Sequence, residues 1–150
     1  MQTLEKQITD CLIEIKTKTP PTHFEDRMQT GTTRFLRVSV QELENELRAA
    51  VKGEVRFGAG DRGLYASDAG NYRMVPIGVV LPNDADDVMK TLAACRRYGA
   101  PIVARGGGTG IPGQTVNVAV VLDFSKYMNR ILALDPDGRR ARVQPGVINR

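Results

Sequence analysis

Residues 104–114, Ala104-Arg105-Gly106-Gly107-Gly108-Thr109-Gly110-Ile111-Pro112-Gly113-Gln114, lie between two short apolar runs, Pro101–Ala104 (PIVA) and Asn117–Asp123 (NVAVVLD). Five glycines within positions 106–113 carry a large cost in chain entropy. That cost is offset where a backbone must turn sharply and aim several N–H groups at one point. Such a nest binds anions, phosphate above all, and glycine admits the anion without obstruction by a Cβ. Thr109 offers a hydroxyl donor and Arg105 a charge near the mouth of the loop. The plainer alternative is a tight turn that needs its glycines only for packing.

Gly108-Thr109-Gly110-Ile111-Pro112-Gly113 satisfies the pattern G-x-G-x-x-G. In a Rossmann fold that pattern requires a helix to begin inside it, so that the pyrophosphate rests on the helix N-terminus. Here Pro112 and Gly113 lead almost directly into a β-branched run, and the span from Gly113 to Asp123 is too short for a helix with its connections. No Lys-Ser or Lys-Thr pair follows the glycines, so a Walker loop is excluded as well.

Outward from the loop, the periodicity predicts an α+β chain. Val75–Leu81 (VPIGVVL) reads as a buried strand. A helix follows, capped by Asn83 or Asp84, with Asp84, Asp86 and Asp87 at its start and Arg96 and Arg97 at its end to complement the dipole. Its buried face is expected at Ala85, Val88, Met89, Leu92 and Cys95, and Gly99 ends it. With the strand at 101–104 this makes a βαβ unit. Downstream, Ile131–Leu134 and Arg140–Gln144 pair as a hairpin around a type I turn, Asp135-Pro136-Asp137-Gly138, with Pro at its second position. Helices are expected on one side of a mixed sheet.

Only Gly31 and Gly53 of the 15 glycines fall in the first 55 residues, and this region reads as helical. Leu4, Ile8, Cys11, Leu12 and Ile15 form one apolar stripe, ended by Pro20-Pro21. Residues 18–38 read as a loop with a short strand at Arg34–Val38. In a second helix Ser39 and Glu42 form an S-x-x-E capping box, Leu43, Leu47, Ala50 and Val51 make the apolar face, and Gly53 closes it.

Composition excludes several functions. A net charge of +4 with 41% hydrophobic and 25% charged residues is that of an ordinary globular domain. The basic residues are dispersed, with no run longer than Arg96-Arg97 or Arg139-Arg140, and aromatics are sparse at 5%. A nucleic-acid interface is therefore disfavoured. His23 is the single histidine, which rules out zinc sites built on several His or Cys. No apolar stretch approaches the roughly 20 residues of a membrane span, and Glu5, Lys6 and Asp10 interrupt any signal-peptide core. Two distant cysteines, Cys11 and Cys95, point to a reducing, cytoplasmic compartment. Both lie on apolar helix stripes and read as core.

Ala104–Gln114, Val120–Asp123 (VVLD), Tyr127–Ile131 (YMNRI) and Val143–Val147 (VQPGV), with Tyr65–Pro82 (YASDAGNYRMVPIGVVLP) upstream, resemble the flavin-linked oxidases with an FAD-binding domain of the vanillyl-alcohol oxidase (PCMH) type. The likeness covers residues 54–150, and it is strongest to the bacterial branch that carries a C-terminal iron–sulfur domain. It implies an N-terminal helical extension at 1–53, followed at 54–150 by the first part of the flavin domain. The family oxidises 2-hydroxy acids such as lactate, glycolate or 2-hydroxyglutarate by passing hydride to FAD. By carry-over, Arg105, Gly106, Gly107, Gly108, Thr109, Gly110, Gly113 and Gln114 wrap the FAD pyrophosphate, and Pro145 and Gly146 form a turn beside the flavin.

Two departures stand out. Gly110 and Ile111 replace a frequent Ser-Leu, which keeps the backbone donors, and no histidine lies between Arg105 and Thr115. The cofactor is therefore expected to be non-covalent FAD. The resemblance also implies that the second half of the FAD fold, the substrate domain and any iron–sulfur cluster belong to further chain, with peripheral attachment to the inner membrane left open. No catalytic residue is assigned. Tyr65, Asp68 and Tyr72 are open between flavin contact and packing, and the N-terminal helices between packing on the flavin domain and self-association into a homo-oligomer. The alternative from a different class is a non-catalytic FAD- or nucleotide-binding module.

Overall fold

The structure, a computed structural model, describes residues 39–148. The predicted first helix at Leu4–Ile15, the loop at 18–38 with its strand, and Cys11 lie outside the described residues. The described chain runs α1 (Val40–Ala50), β1 (Glu54–Arg56), α2 (Ala59–Leu64), β2 (Gly78–Leu81), α3 (Ala85–Tyr98), β3 (Ile102–Arg105), β4 (Val120–Asp123), β5 (Ile131–Asp135) and β6 (Arg140–Val143). Four strands form a mixed sheet in the order β1-β2-β4-β3. β4 lies parallel between β2 and β3, and β1 pairs antiparallel with β2. The predicted βαβ unit is thus present, but its two strands flank β4 instead of touching.

Both faces of the central strands are covered. Leu43, Leu47 and Val51 from the α1 end join Ala94 and Cys95 of α3 in one cluster with Val55, Val80, Val120 and Leu122. Fully burying each leucine contributes roughly 1.5–3 kcal/mol. The alternate residues Val79, Leu81 and Val121 pack on the opposite face with Tyr65 and Val103. β2 and β4 are buried at every position, which is why they read as unbroken apolar runs.

Asp87 joins the elements. Its buried carboxylate accepts from Lys52 N at 2.9 Å on one oxygen, and from Gly53 N at 2.9 Å and Asn83 N at 3.0 Å on the other. Asp84 is the N-cap of α3, accepting from Asp87 N at 3.0 Å, and Gly99 ends the helix in the left-handed region at φ 66°. The face of α3 differs from expectation. Met89 and Leu92 are 65% and 41% exposed, while Asp87, Thr91, Ala94 and Cys95 are buried. The three backbone donors draw Asp87 inward, and Thr91 Oγ1 donates to Asp87 O at 2.8 Å, so two polar residues occupy the phase assigned to apolar ones. Cys95 is core, and burial pushes its thiol up to about 12.

Other expectations shift by local chemistry. The Ser39–Glu42 box does not form; Ser39 stands at the N-cap without a side-chain bond, and Glu42 is exposed, where water satisfies such end groups. Gly53 does not close α1, which ends at Ala50. A Cβ at Gly53 would lie 2.1 Å from Leu81 O, so glycine is needed there for the approach of β1 to β2. β2 starts at Gly78 and β4 at Val120, later than the apolar runs begin. The short β1 and α2 carry too little periodicity to be anticipated. The hairpin forms, but Arg139 N bonds Pro136 O at 3.2 Å, one residue later than expected, because Asp135 Oδ1 accepts from Gly138 N at 2.9 Å. Among the described residues no helix is long and apolar enough to cross a membrane.

Replacing Asp87 by alanine leaves three buried donors without an acceptor. D87A is expected to lower the unfolding free energy by about 3 kcal/mol or more, and D87N by less, as measured by urea denaturation.

Candidate functional site

Parallel strands β3 and β4 end side by side, with Arg105 opposite Asp123. Ligands of open α/β sheets collect outside the carboxyl ends of such strands, and the glycine loop leaves β3 at this edge. No helix begins within the loop. Phe124 N still bonds Arg105 O at 3.0 Å, after which the two chains separate.

Beyond that point the loop's donors are unpaired. Among the described residues, no acceptor takes the N–H of Gly106, Gly107, Gly108, Thr109, Gly110 or Ile111. These positions are exposed or half-exposed, so water satisfies their N–H groups, and the same groups are open to the acceptors of a ligand. The glycines divide into two groups. A Cβ on Gly108 would lie 2.4 Å from the Arg105 guanidinium, on Gly110 1.8 Å from the Gln114 amide, and on Gly113 2.6 Å from the Tyr72 ring. Gly108 and Gly113 also hold left-handed φ values of 65° and 78°. Gly108 and Gly113 satisfy the packing explanation, while the neighbour of Gly110 is the movable end of an exposed side chain. Gly106 and Gly107 do not: the nearest atoms to their added Cβ are Pro145 O at 3.8 Å and Thr109 Cγ2 at 3.6 Å. Nothing in the described protein requires glycine at either position.

Gly107 opens onto a cleft of about 500 Å³ lined also by Ser125, Asn129, Ile131, Gly146 and Val147. The Pro145–Gly146 turn forms part of its wall. Gly146 N donates to Met128 O at 2.8 Å, and a Cβ on Gly146 would meet Phe124 O at 2.2 Å. This turn contributes shape; its one N–H is already used. Unpaired donors beside an open glycine pair fit the phosphates of a dinucleotide.

Arg105 departs from the picture of a charge at the mouth. Its Nη1 donates to Ser67 O at 2.9 Å, and its guanidinium stands 5.3 Å from the Tyr65 ring centroid. Tyr65 Oη donates to Asp123 Oδ2 at 2.6 Å, and burial with this bond pushes the phenol up to about 12. Asp123 Oδ1 accepts from Ser125 N and Oγ at 2.8 and 2.6 Å. Asp123, which the sequence marked only as the end of an apolar run, therefore ties the end of β4 to Tyr65 and to the turn at Ser125. The 68–72 segment also meets the loop: Ala69 N donates to Gly108 O at 3.1 Å, and Thr115 Oγ1 to Asp68 at 3.0 Å.

At the start of β1, Glu54 accepts from Lys126, Tyr127 and Arg56. These bonds, Lys126 first, lower its carboxyl from 4.5 to about 2.

A protein-family profile described as an FAD binding domain matches residues 76–150. The chain belongs to this family, whose cofactor is FAD. It is 36% identical over 121 residues to D-2-hydroxyglutarate dehydrogenase of Escherichia coli K12, covering 79% of this chain and 12% of that protein. Glycolate oxidase subunit GlcD of the same organism is 45% identical over 80 residues, covering 52% of this chain and 16% of that protein. The chain thus spans less than a fifth of these relatives. In fold it matches alkyldihydroxyacetonephosphate synthase, at a TM-score of 0.62 and 22% identity over 71% of this chain and 24% of that one. It also matches p-cresol methylhydroxylase, at 0.58 and 21% over 71% of this chain and 22% of that one.

Because the folded Glu54 carboxyl ionises below its unfolded counterpart, its contribution to stability is full above about 4.5 and is lost as pH falls towards about 2. The melting-temperature gap between the protein and E54Q is expected to be widest above pH 4.5 and to close over that interval; a gap independent of pH would contradict the assignment.

Proposed function

We propose that residues 54–150 form the first part of a PCMH-type FAD-binding domain, in a longer flavin-dependent oxidoreductase that oxidises a 2-hydroxy acid. The observation that carries the reading is the solvent-open row of N–H groups from Gly106 to Ile111, for which the described residues provide no acceptor, with no described neighbour that demands glycine at 106 and 107. The printed names of the relatives, a 2-hydroxyglutarate dehydrogenase and a glycolate oxidase subunit, support the substrate class.

The residues take distinct parts. Gly106, Gly107, Gly108, Thr109 and Gly110 present backbone donors to the FAD pyrophosphate. Gly113 and Gln114 shape the far limb of the loop by packing on Tyr72 and against Gly110. Arg105 braces the loop through Ser67 and Tyr65, and the Pro145–Gly146 turn sets Gly146 in the wall of the cleft. Bound FAD supplies the acceptor for the hydride that leaves the substrate's α-carbon. Attachment is non-covalent, since no histidine stands between Arg105 and Thr115. The substrate and its catalytic groups belong to further chain, as would any iron–sulfur cluster.

Gly107 gives the cleanest test. Its added Cβ meets only Thr109 Cγ2, at 3.6 Å, so G107V disturbs a ligand more than the fold. The full-length protein carrying G107V is expected to purify with its native circular dichroism and without the visible flavin spectrum. Normal flavin content in that variant would overturn the loop assignment.

A further inference from the structure

Residues 66–74 form a closed strap beside the glycine loop. Met74 N bonds Ala66 O at 2.9 Å, and Ser67 bridges Arg73 in antiparallel fashion. The tip of the strap meets the loop along its length. Ser67 O receives Arg105, Ala69 N reaches Gly108 O, Gly70 backs on Ile111 O, and the Tyr72 ring lies against Gly113. The approach at Gly70 is so close that a Cβ would stand 2.1 Å from Ile111 O.

Asp68 is the polar centre of this strap. One carboxylate oxygen accepts from Gly70 N at 2.8 Å, which holds the tip in its turn, and the other accepts from Thr115 Oγ1 at 3.0 Å, just past the last loop glycine. These two donors, Gly70 first, keep its carboxyl below the usual range. A free carboxylate beside an anion site would oppose binding. Here both oxygens are engaged by donors of the protein itself and the nearby Arg105 cation offsets the remaining charge, so the residue acts through geometry.

We propose that Asp68 is a positioning residue for the cofactor: by tying Gly70 to Thr115 it clamps the strap onto the glycine loop and keeps the unpaired N–H groups aimed at one anion. The physical basis is preorganisation. Glycines 106–110 have wide conformational freedom, and every residue ordered before binding lowers the entropy lost on binding. The inference rests on the reading of the loop as the FAD pyrophosphate site.

The test compares FAD dissociation constants of full-length apoprotein variants by flavin fluorescence, with the apoprotein melting temperature as a second readout. D68A removes both bonds and is expected to weaken FAD roughly tenfold, the effect of about one charge-assisted hydrogen bond. D68N keeps both links, its amide oxygen accepting from Gly70 N and its NH₂ donating to Thr115 Oγ1, and is expected to restore most of the affinity. Wild-type affinity in D68A, or equal losses in D68A and D68N, would overturn the proposal. A purely structural role would lower the melting temperature and leave the dissociation constant of the folded protein unchanged. Should D68A not fold, T115V breaks the same clamp from the other side, and wild-type affinity there also overturns it. G107V separates the two ideas. If G107V retains FAD, the loop assignment fails; if G107V loses FAD while D68A and T115V keep it, only the clamp fails.

Discussion

The buried carboxylate of Asp87 sets the frame on which the site stands. Three backbone N–H groups from two separate connections converge on it, two where α1 gives way to β1 and one where β2 gives way to α3. Buried donors in such connections need acceptors, and water does not reach a fully buried position. One side chain therefore anchors the start of β1, the end of β2 and the start of α3 together. With α3 held, the crossover delivers β3 to the far edge of the sheet, and β4 fills the space between β2 and β3. Arg105 and Asp123 become neighbours as a result, and the glycine loop leaves the sheet where ligands of such folds gather.

At that edge the polar groups form two systems with different tasks. Arg105, Tyr65, Asp123 and Ser125 are satisfied by one another and by backbone, and they brace the ends of the strands. The loop N–H groups have no acceptor among the described residues. No buried side-chain polar atom lacks a partner among the described residues, whereas the loop N–H groups face solvent. The chain belongs to the FAD binding domain family, and the loop is the proposed place for the pyrophosphate of that cofactor.

Much of this was legible without coordinates. The apolar runs at 75–81 and 117–123 announced buried strands, which the structure places at 78–81 and 120–123. Asp84 and Gly99 punctuate α3 because capping is local chemistry within a few residues. The failures have long-range causes. Met89 and Leu92 match a helical stripe yet lie outside the core, because Asp87 answers donors that lie up to 35 positions earlier in the chain. Gly53 sits where a helix could close, yet Leu81 O is the group that requires it. The hairpin turn moved by one residue because Asp135 bonds Gly138 N with its side chain, an alternative that a residue preference does not resolve.

The amino-acid order determined the local events: where helices begin and end, which strands are buried on both faces, and where the backbone is freed of side chains. It also carried the family likeness, since several motifs recur in sequence at the family's spacing. Tertiary structure decided which loop glycines have close protein neighbours and which stand open. Gly108, Gly110 and Gly113 look like Gly106 and Gly107 on paper, but only the first three press against Arg105, Gln114 and Tyr72. It likewise decided that Arg105 braces the loop and that Asp68 reaches Thr115, 47 positions away. Those outcomes depend on atoms brought together from distant parts of the chain, and no local preference encodes a distance between them.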